Sequence, residues 1–187
     1  MTARADTDQA LIAAAQRGDA SAFDELVRRH TTTMYRVAVR ILGNSSEAED
    51  AVQDAWVSAW RSLKRFRGDA APSTWLYRVV TNAALAQIRR RRPTVPLDVS
   101  DEAVGGLFAD HRDPEGQAVR NEEATMVHRA IATLEPSQRI PLVLHEFEGM
   151  GYEEIAEVLD VGAPALRSRL HRARLALLAR LKEMRHG

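Results

Sequence analysis

The sequence predicts an all-α protein: two small helical domains joined by a flexible acidic linker, the second carrying a helix-turn-helix. Three observations predict it. Apolar residues recur at helical spacing along almost the whole chain, with no competing β-alternation and no Asn-Gly turn. Residues 93–113 break that spacing with Pro93, Pro96 and Gly105-Gly106, over a length unusual for a loop inside one domain. Charge is blocked: the formal net charge is zero over 187 residues, yet basic and acidic segments alternate.

Asp8 is the expected cap of a first helix, with Leu11, Ile12 and Ala15 on one face and Gly18 at its end. A second helix starts near Ser21, carries Phe23, Leu26, Val27, Met34, Val37, Ile41 and Leu42, and runs to Gly43, a residue suited to a left-handed cap. Ser45 or Ser46 should cap a third helix, in which Glu47, Glu49 and Asp50 favour the positive end of the dipole. Its apolar positions run from Ala51 to Leu63, and it ends before Gly68. Pro72 opens a fourth helix at a favoured first position, which runs to Arg92. These helices make a first domain over 1–93, followed by a linker over 94–113 and a second domain over 114–187. In the second domain one helix runs to Leu134 and another covers about 137–148. Pro141 should kink that helix or delay its start. The short YEEIAEVL helix and a long final helix from Pro164 to about Met184 complete it.

Several function classes are excluded or disfavoured. There is no cysteine, so thiolate zinc sites, disulfides and cysteine nucleophiles are out. HEFEG at 145–149 begins like a zinc-protease helix but has Gly149 where the second histidine belongs. No phosphate-cradling Gly-rich loop and no metal-ligand spacing appear, so neither an enzyme, a cofactor nor a metal is expected. Residues 1–8 lack a signal-peptide core and no stretch has transmembrane length, so no membrane insertion is expected and the cytoplasm is the default compartment.

The charge blocks point to polyanions. Residues 61–92 carry nine bases against Asp69 alone, and residues 167–185 carry seven against Glu183 alone. Each is preceded by an acidic helix, which suits two nucleic-acid surfaces. Arg89 to Arg92 form four consecutive arginines whose mutual repulsion calls for acidic partners, inside the protein or outside it. On the fourth helix Trp75, Arg78 and Asn82 share a face at i, i+3 and i+4 spacing. An aromatic ring, a guanidinium and an amide suit unpaired bases. Trp75 and Tyr77 lie on different sides of that helix, so one of the two is expected in the core. Near the C-terminus, the turn Asp160-Val161-Gly162 joins two helices whose Ile155, Ala156 and Leu159 can pack on Leu166 and Leu170. Arg167, Ser168, His171, Arg172 and Arg174 point away from the leucine stripe. That is the arrangement of a helix-turn-helix laid in a major groove.

Four segments together resemble the group IV sigma factors, the extracytoplasmic function (ECF) class of the sigma-70 superfamily. GDASAFDELVRRH resembles that family's opening segment, and AEDAVQDAWVSAWRSLKRF its polymerase-binding helix. STWLYRVVTNAAL resembles its promoter-melting helix, and GYEEIAEVLDV…LRSRLHRARLAL its upstream-element reader. The resemblance implies a sigma factor that directs core RNA polymerase to promoters by −35 and −10 recognition and by promoter melting. It assigns Asp50, Gln53, Asp54, Trp56 and Trp60 to the clamp of the largest polymerase subunit. It assigns Lys64, Arg65, Arg67, Trp75, Arg78, Asn82, Arg89 and Arg90 to −10 DNA, and Arg167, Ser168, His171, Arg172 and Arg174 to −35 DNA. It also implies an anti-sigma partner, and a linker lying in basic channels of the polymerase. The chain departs from the pattern at Ala86, where an acid is usual, and at Gly162-Ala163-Pro164-Ala165-Leu166, where a threonine is lost. The alternative is a helix-turn-helix regulator whose N-terminal half senses a signal or dimerises. A four-helix RNA-binding protein would explain the basic blocks but not the turn at 160–162.

Overall fold

A computed structural model describes residues 2–91 and 124–186; the expected linker lies outside the described residues. The helices are α1 (Thr2–Gln16), α2 (Ala20–Leu42), α3 (Ser45–Ser62), α4 (Pro72–Arg90), α5 (helical over 124–132), α6 (Pro136–Glu146), α7 (Tyr152–Leu159) and α8 (Ala163–His186). A 3-10 turn, Leu63–Arg65, extends α3. No strand occurs among the described residues.

α2 is the hub of the first unit and packs against α1, α3 and α4. Its inner face is Leu26, Met34, Val37, Ala38 and Ile41, all buried. α3 presents Ala48, Ala51, Ala55 and Ala59, whose small side chains let its backbone approach α2 and α4 closely; all four are buried. Asp19 caps α2 by accepting from the Ser21 and Ala22 amides, and Gly43 closes it in the left-handed conformation at φ 70°. The expected cap of α3 at Ser45 or Ser46 is corrected to Asn44, whose side chain accepts from the Glu47 amide at 3.0 Å. Asp8 is not a cap either. α1 starts at Thr2, and Asp8 is 4% exposed inside it, bonded to Arg29 and His30 of α2. There it accepts from Arg29 and bonds the His30 ring, contacts a helix start would not offer.

In the second unit, Ile140 and Leu142 to Leu144 of α6, Ile155 and Val158 of α7, and Leu166, Leu170 and Ala173 of α8 are buried. α6 begins at Pro136 and continues through Pro141, so the proline does not delay its start. The carbonyl deprived of a partner belongs to Ser137, an exposed residue that water can reach, and the buried proline ring fills core space. The turn into α8 is tight. Asp160 adopts φ 52°, and the Val161 amide donates back to the Ala156 carbonyl at 3.0 Å. α8 then starts at Ala163, and the Leu166 amide reaches the Gly162 carbonyl at 3.0 Å. Pro164, in the first turn, needs no intrahelical donor, so the departure at 162–166 leaves the helix start intact.

The two units touch. α2 packs on α6 and α4 on α7, and the buried apolar residues of both form one contiguous cluster.

Asp160 is the only non-glycine with positive φ among the described residues. Asp160→Val should destabilise the second unit by about 1–2 kcal/mol, because a β-branched residue tolerates the left-handed conformation far less well than the short polar aspartate. Asp160→Gly should be tolerated. Thermal denaturation of the two variants side by side checks this; equal losses would place the cost in the aspartate side chain instead of the backbone.

Candidate nucleic-acid interface

The loop after α3 and the first turns of α4 enclose a cleft of about 380 Å³. Arg65, Phe66 and Arg67 form one wall, and Thr74, Trp75 and Arg78 the other. Trp75 is half-buried, with its ring 5.1 Å from that of Phe66, so one face is packed and the rest borders the cleft. Arg78 and Asn82 are exposed on the same side of α4. The wall is held from α1, a helix with no expected role in the site: Gln16 Nε2 donates to the Leu63 carbonyl at 2.9 Å and the Phe66 carbonyl at 2.7 Å. Gly68 turns the loop at φ 80°, close against Gln9.

Tyr77 leaves on the opposite side. Its hydroxyl donates to Glu148 Oε2 at 3.0 Å, across the junction between the units. Burial, and then the Glu148 charge, push its ionisation well above the ordinary phenol range. One of the two rings was expected in the core, but both are only partly buried: Trp75 borders the cleft and Tyr77 serves the junction.

The arginine run divides. Arg89 is exposed. Arg90 donates to Asp54 at 3.2 Å, a pair open enough to water to contribute little stability. Arg91 pairs with Glu47 and donates to the Leu42 carbonyl at 2.6 Å. Acids on α3 therefore relieve part of the repulsion inside the protein. Arg92 lies outside the described residues.

On α3, Asp50, Gln53 and Asp54 are exposed. Trp60 is 49% exposed and Val57 50%, so an apolar strip lies beside the acids; Val57 was not among the expected contacts. Trp56 points inward instead. Its indole N–H donates to Thr31 Oγ1 at 3.0 Å and its ring meets the edge of Phe23.

On α8, Arg167, Ser168, His171 and Arg172 are exposed opposite buried Leu166, Leu170 and Ala173. Arg174 is engaged differently: its Nε and Nη2 reach Glu146 Oε1 at 3.1 and 2.9 Å. Hydrogen bonding to Tyr152 and to Glu146 raises its pKa. Among the described residues no cluster of three His, Asp or Glu could hold a metal, and no helix is long and apolar enough to cross a membrane.

An acid-flanked apolar strip, an aromatic and arginine-lined cleft and an arginine-faced helix-turn-helix thus follow one another along one chain. Residues 26–94 match the family described as Sigma-70 region 2, and residues 124–177 match Sigma-70, region 4. The chain is 39% identical to the RNA polymerase sigma-H factor of Pseudomonas aeruginosa over 92% of each protein. It is 36% identical to the ECF RNA polymerase sigma-E factor of Escherichia coli over 91% of this chain and 92% of that one. Its fold matches that of CnrH, solved in complex with the cytosolic domain of CnrY, with a TM-score of 0.69, 26% identity and coverage of 95% and 98%. The chain therefore belongs to the sigma-70 family, in its extracytoplasmic function class: it is an RNA polymerase sigma factor for promoter-specific transcription initiation and not an enzyme.

Gln16→Ala should untie the cleft wall. Two hydrogen bonds at the usual net value amount to about 1–3 kcal/mol. Trypsin should then cut faster at Lys64, Arg65 and Arg67 under native conditions. An unchanged cleavage rate would show that the loop holds its shape without α1.

Proposed function

We propose how the work of initiation is divided among these residues. Asp50, Gln53, Asp54 and Trp60, with Val57, meet a basic and apolar partner surface on the clamp of core polymerase. Trp56 shapes that surface from inside. The cleft and α4 take −10 DNA: Trp75 and Asn82 receive unpaired bases, while Lys64, Arg65, Arg67, Arg78, Arg89 and Arg90 hold phosphates. α8 takes −35 DNA, with Arg167, Ser168, His171 and Arg172 nearest the bases and Arg174 set by Glu146 to meet backbone. The domains are 1–93 and 114–187, the linker is 94–113, and the protein works in the cytoplasm. A second protein of the anti-sigma kind holds it idle; support comes from the family resemblance and from CnrH, which was solved with a protein partner.

The observation that carries the −10 assignment is the cleft itself. A half-open indole beside three arginines combines a stacking surface with an electrostatic funnel, the pairing that single strands need. Polymerase binding rests on charge and apolar exposure lying together on α3, an arrangement that steers a partner and then buries area.

Asp54→Arg should abolish binding to core polymerase in a pull-down while changing the fold's stability by less than about 1 kcal/mol, since its internal pair with Arg90 is exposed. Retained affinity would remove Asp54 from the interface.

Trp75→Ala and Asn82→Ala should slow promoter opening more than closed-complex formation, by about 1–3 kcal/mol for a stacked base. Permanganate footprinting on a duplex and on a pre-melted promoter separates the steps. The pre-melted template should restore activity, and a failure to do so would assign these residues to another step.

A further inference from the structure

Helix α1 lies ahead of the segment that matches Sigma-70 region 2, which begins at residue 26, and yet it reaches the cleft. Its seat on α2 is fixed near one end by Asp8, which accepts from Arg29 Nη1 at 3.2 Å and is hydrogen-bonded to His30 Nε2 at 2.8 Å. Ile12 and Ala15 are buried behind it. At the other end stands Gln16. Its amide nitrogen has two hydrogens, and both go to the loop, on the Leu63 carbonyl at 2.9 Å and the Phe66 carbonyl at 2.7 Å. Two turns back on the same helix face, Gln9 lies against Gly68, where a Cβ would stand 2.8 Å from its Nε2. Two glutamines of one helix face thus meet the loop at Leu63, Phe66 and Gly68.

The two walls of the cleft differ in kind. Thr74, Trp75 and Arg78 stand on α4, whose backbone bonds are made within the helix. The opposite wall, from Phe66 to Ala70, is irregular backbone with no helical ladder, so its shape must be imposed from outside. The Phe66 amide closes the 3-10 turn on the Leu63 carbonyl at 3.1 Å. The Gln16 bridge then fixes the next peptide, and with it the direction the chain takes toward Arg67 and Gly68. Phe66 is therefore held at its carbonyl by α1, while its ring packs at 5.1 Å and 45° against Trp75. Stacking on an indole accepts any base. Discrimination between bases needs polar edges held within a few tenths of an ångström of hydrogen-bonding distance, and on this wall only the loop backbone and its side chains can supply them.

We propose that α1 is a positioning element for base reading: Gln16, through the Phe66 carbonyl, sets the spacing between the loop backbone and the Trp75 ring, and so decides which unpaired base the cleft accepts. This rests on the assignment of the cleft to −10 DNA. Gln16 does not line the cleft and acts through the loop, not on the base. Gln9 supports it by packing over Gly68, the residue at which the loop turns. Selectivity of the cleft then depends on a helix that precedes the matched region altogether.

The test uses holoenzyme assembled from core polymerase and the full chain. It is bound to a pre-melted promoter that carries a fluorescent aminopurine at one unpaired −10 position at a time. Stacking on an indole quenches this base, so the unchanged protein should quench one position, and Trp75→Ala should restore its emission. Gln16→Met matches the glutamine in length but has no donors. It should relieve the quenching in part. It should also shrink the preference among the four bases at that position, read as opening rates on duplex promoters, by roughly three- to tenfold, the size of one hydrogen bond. Gln16→Asn, whose amide is one methylene too short to bridge both carbonyls, makes the same test if Gln16→Met does not fold. Ile12→Val deletes a buried methyl from the same helix and controls for stability; it should lower Tm and leave quenching and preference alone. Unaltered quenching and preference in the Gln16 variant, with Trp75→Ala still relieving the quench, overturn the role of α1 and leave the assignment of the cleft standing. Equal changes in Ile12→Val and in the Gln16 variant reduce the effect to stability and overturn the positioning. No quenched position, or a quench that Trp75→Ala does not relieve, overturns the assignment of the cleft to unpaired bases and the proposal with it.

Discussion

The last carbonyls of α2 have no partner within their own helix, and the way they are satisfied organises everything around them. Arg139 takes the Ile41 carbonyl and Arg91 the Leu42 carbonyl. Two positive charges at the negative end of the helix also answer its dipole. Gly43 ends the helix there in the left-handed conformation, and Asn44 caps the next within one residue. The junction of α2 with α3, the end of α4 and the first turn of α6 are thereby fixed at one point. Arg139 ties a position 98 residues away to that point, so the order of the second unit relative to the first depends on a backbone oxygen.

Around this node the protein uses its charges in two ways. Some are consumed internally: Arg91 on Glu47 and Arg40 on Glu148 near the node, and Asp8 on Arg29 and His30 farther along α2. Others, such as Arg78, Arg89, Arg167 and Arg172, stay exposed. The zero net charge is the sum of these two populations. Burial separates them energetically as well as spatially. His128, stacked on Phe147 near Arg40, has its pKa lowered to about 4 by burial and by that charge, so it is neutral near pH 7. His128 therefore adds no charge to the Arg40–Glu148 pair near neutral pH.

The helices themselves were legible because periodicity is a local property. The turn at 160–162, the start at Pro72 and the left-handed cap at Gly43 all follow from short-range rules. Failures came where two local solutions compete or where a distant group decides. Ser45, Ser46 and Asn44 are all capable caps, and only backbone geometry selects Asn44. Asp8 reads as a cap until Arg29 and His30 of α2 are known to lie beside it. Pro141 reads as a kink or a late start, yet α6 begins at Pro136, and the residue whose carbonyl loses its donor, Ser137, is exposed. The exposed faces of α3, α4 and α8 could be read from helical spacing. Nothing in a sequence of four arginines says that Arg90 and Arg91 turn back to α3 while Arg89 does not. The Gln16 bonds to the 63–66 turn and the Glu148 junction join residues 47 or more positions apart, a range at which no pattern in a single chain is informative.

The chain has three tryptophans, and they happen to stand at three different places. The Trp56 indole is pinned to Thr31 in the hub, the Trp60 ring is half in water beside the α3 acids, and Trp75 packs at a tilt against Phe66 at the cleft. Indole emission depends on local polarity and on hydrogen bonding, so each ring samples a separate environment. Intrinsic fluorescence of single-tryptophan forms can thus follow hub integrity, the α3 surface and the cleft as three independent optical channels in one unlabelled polypeptide.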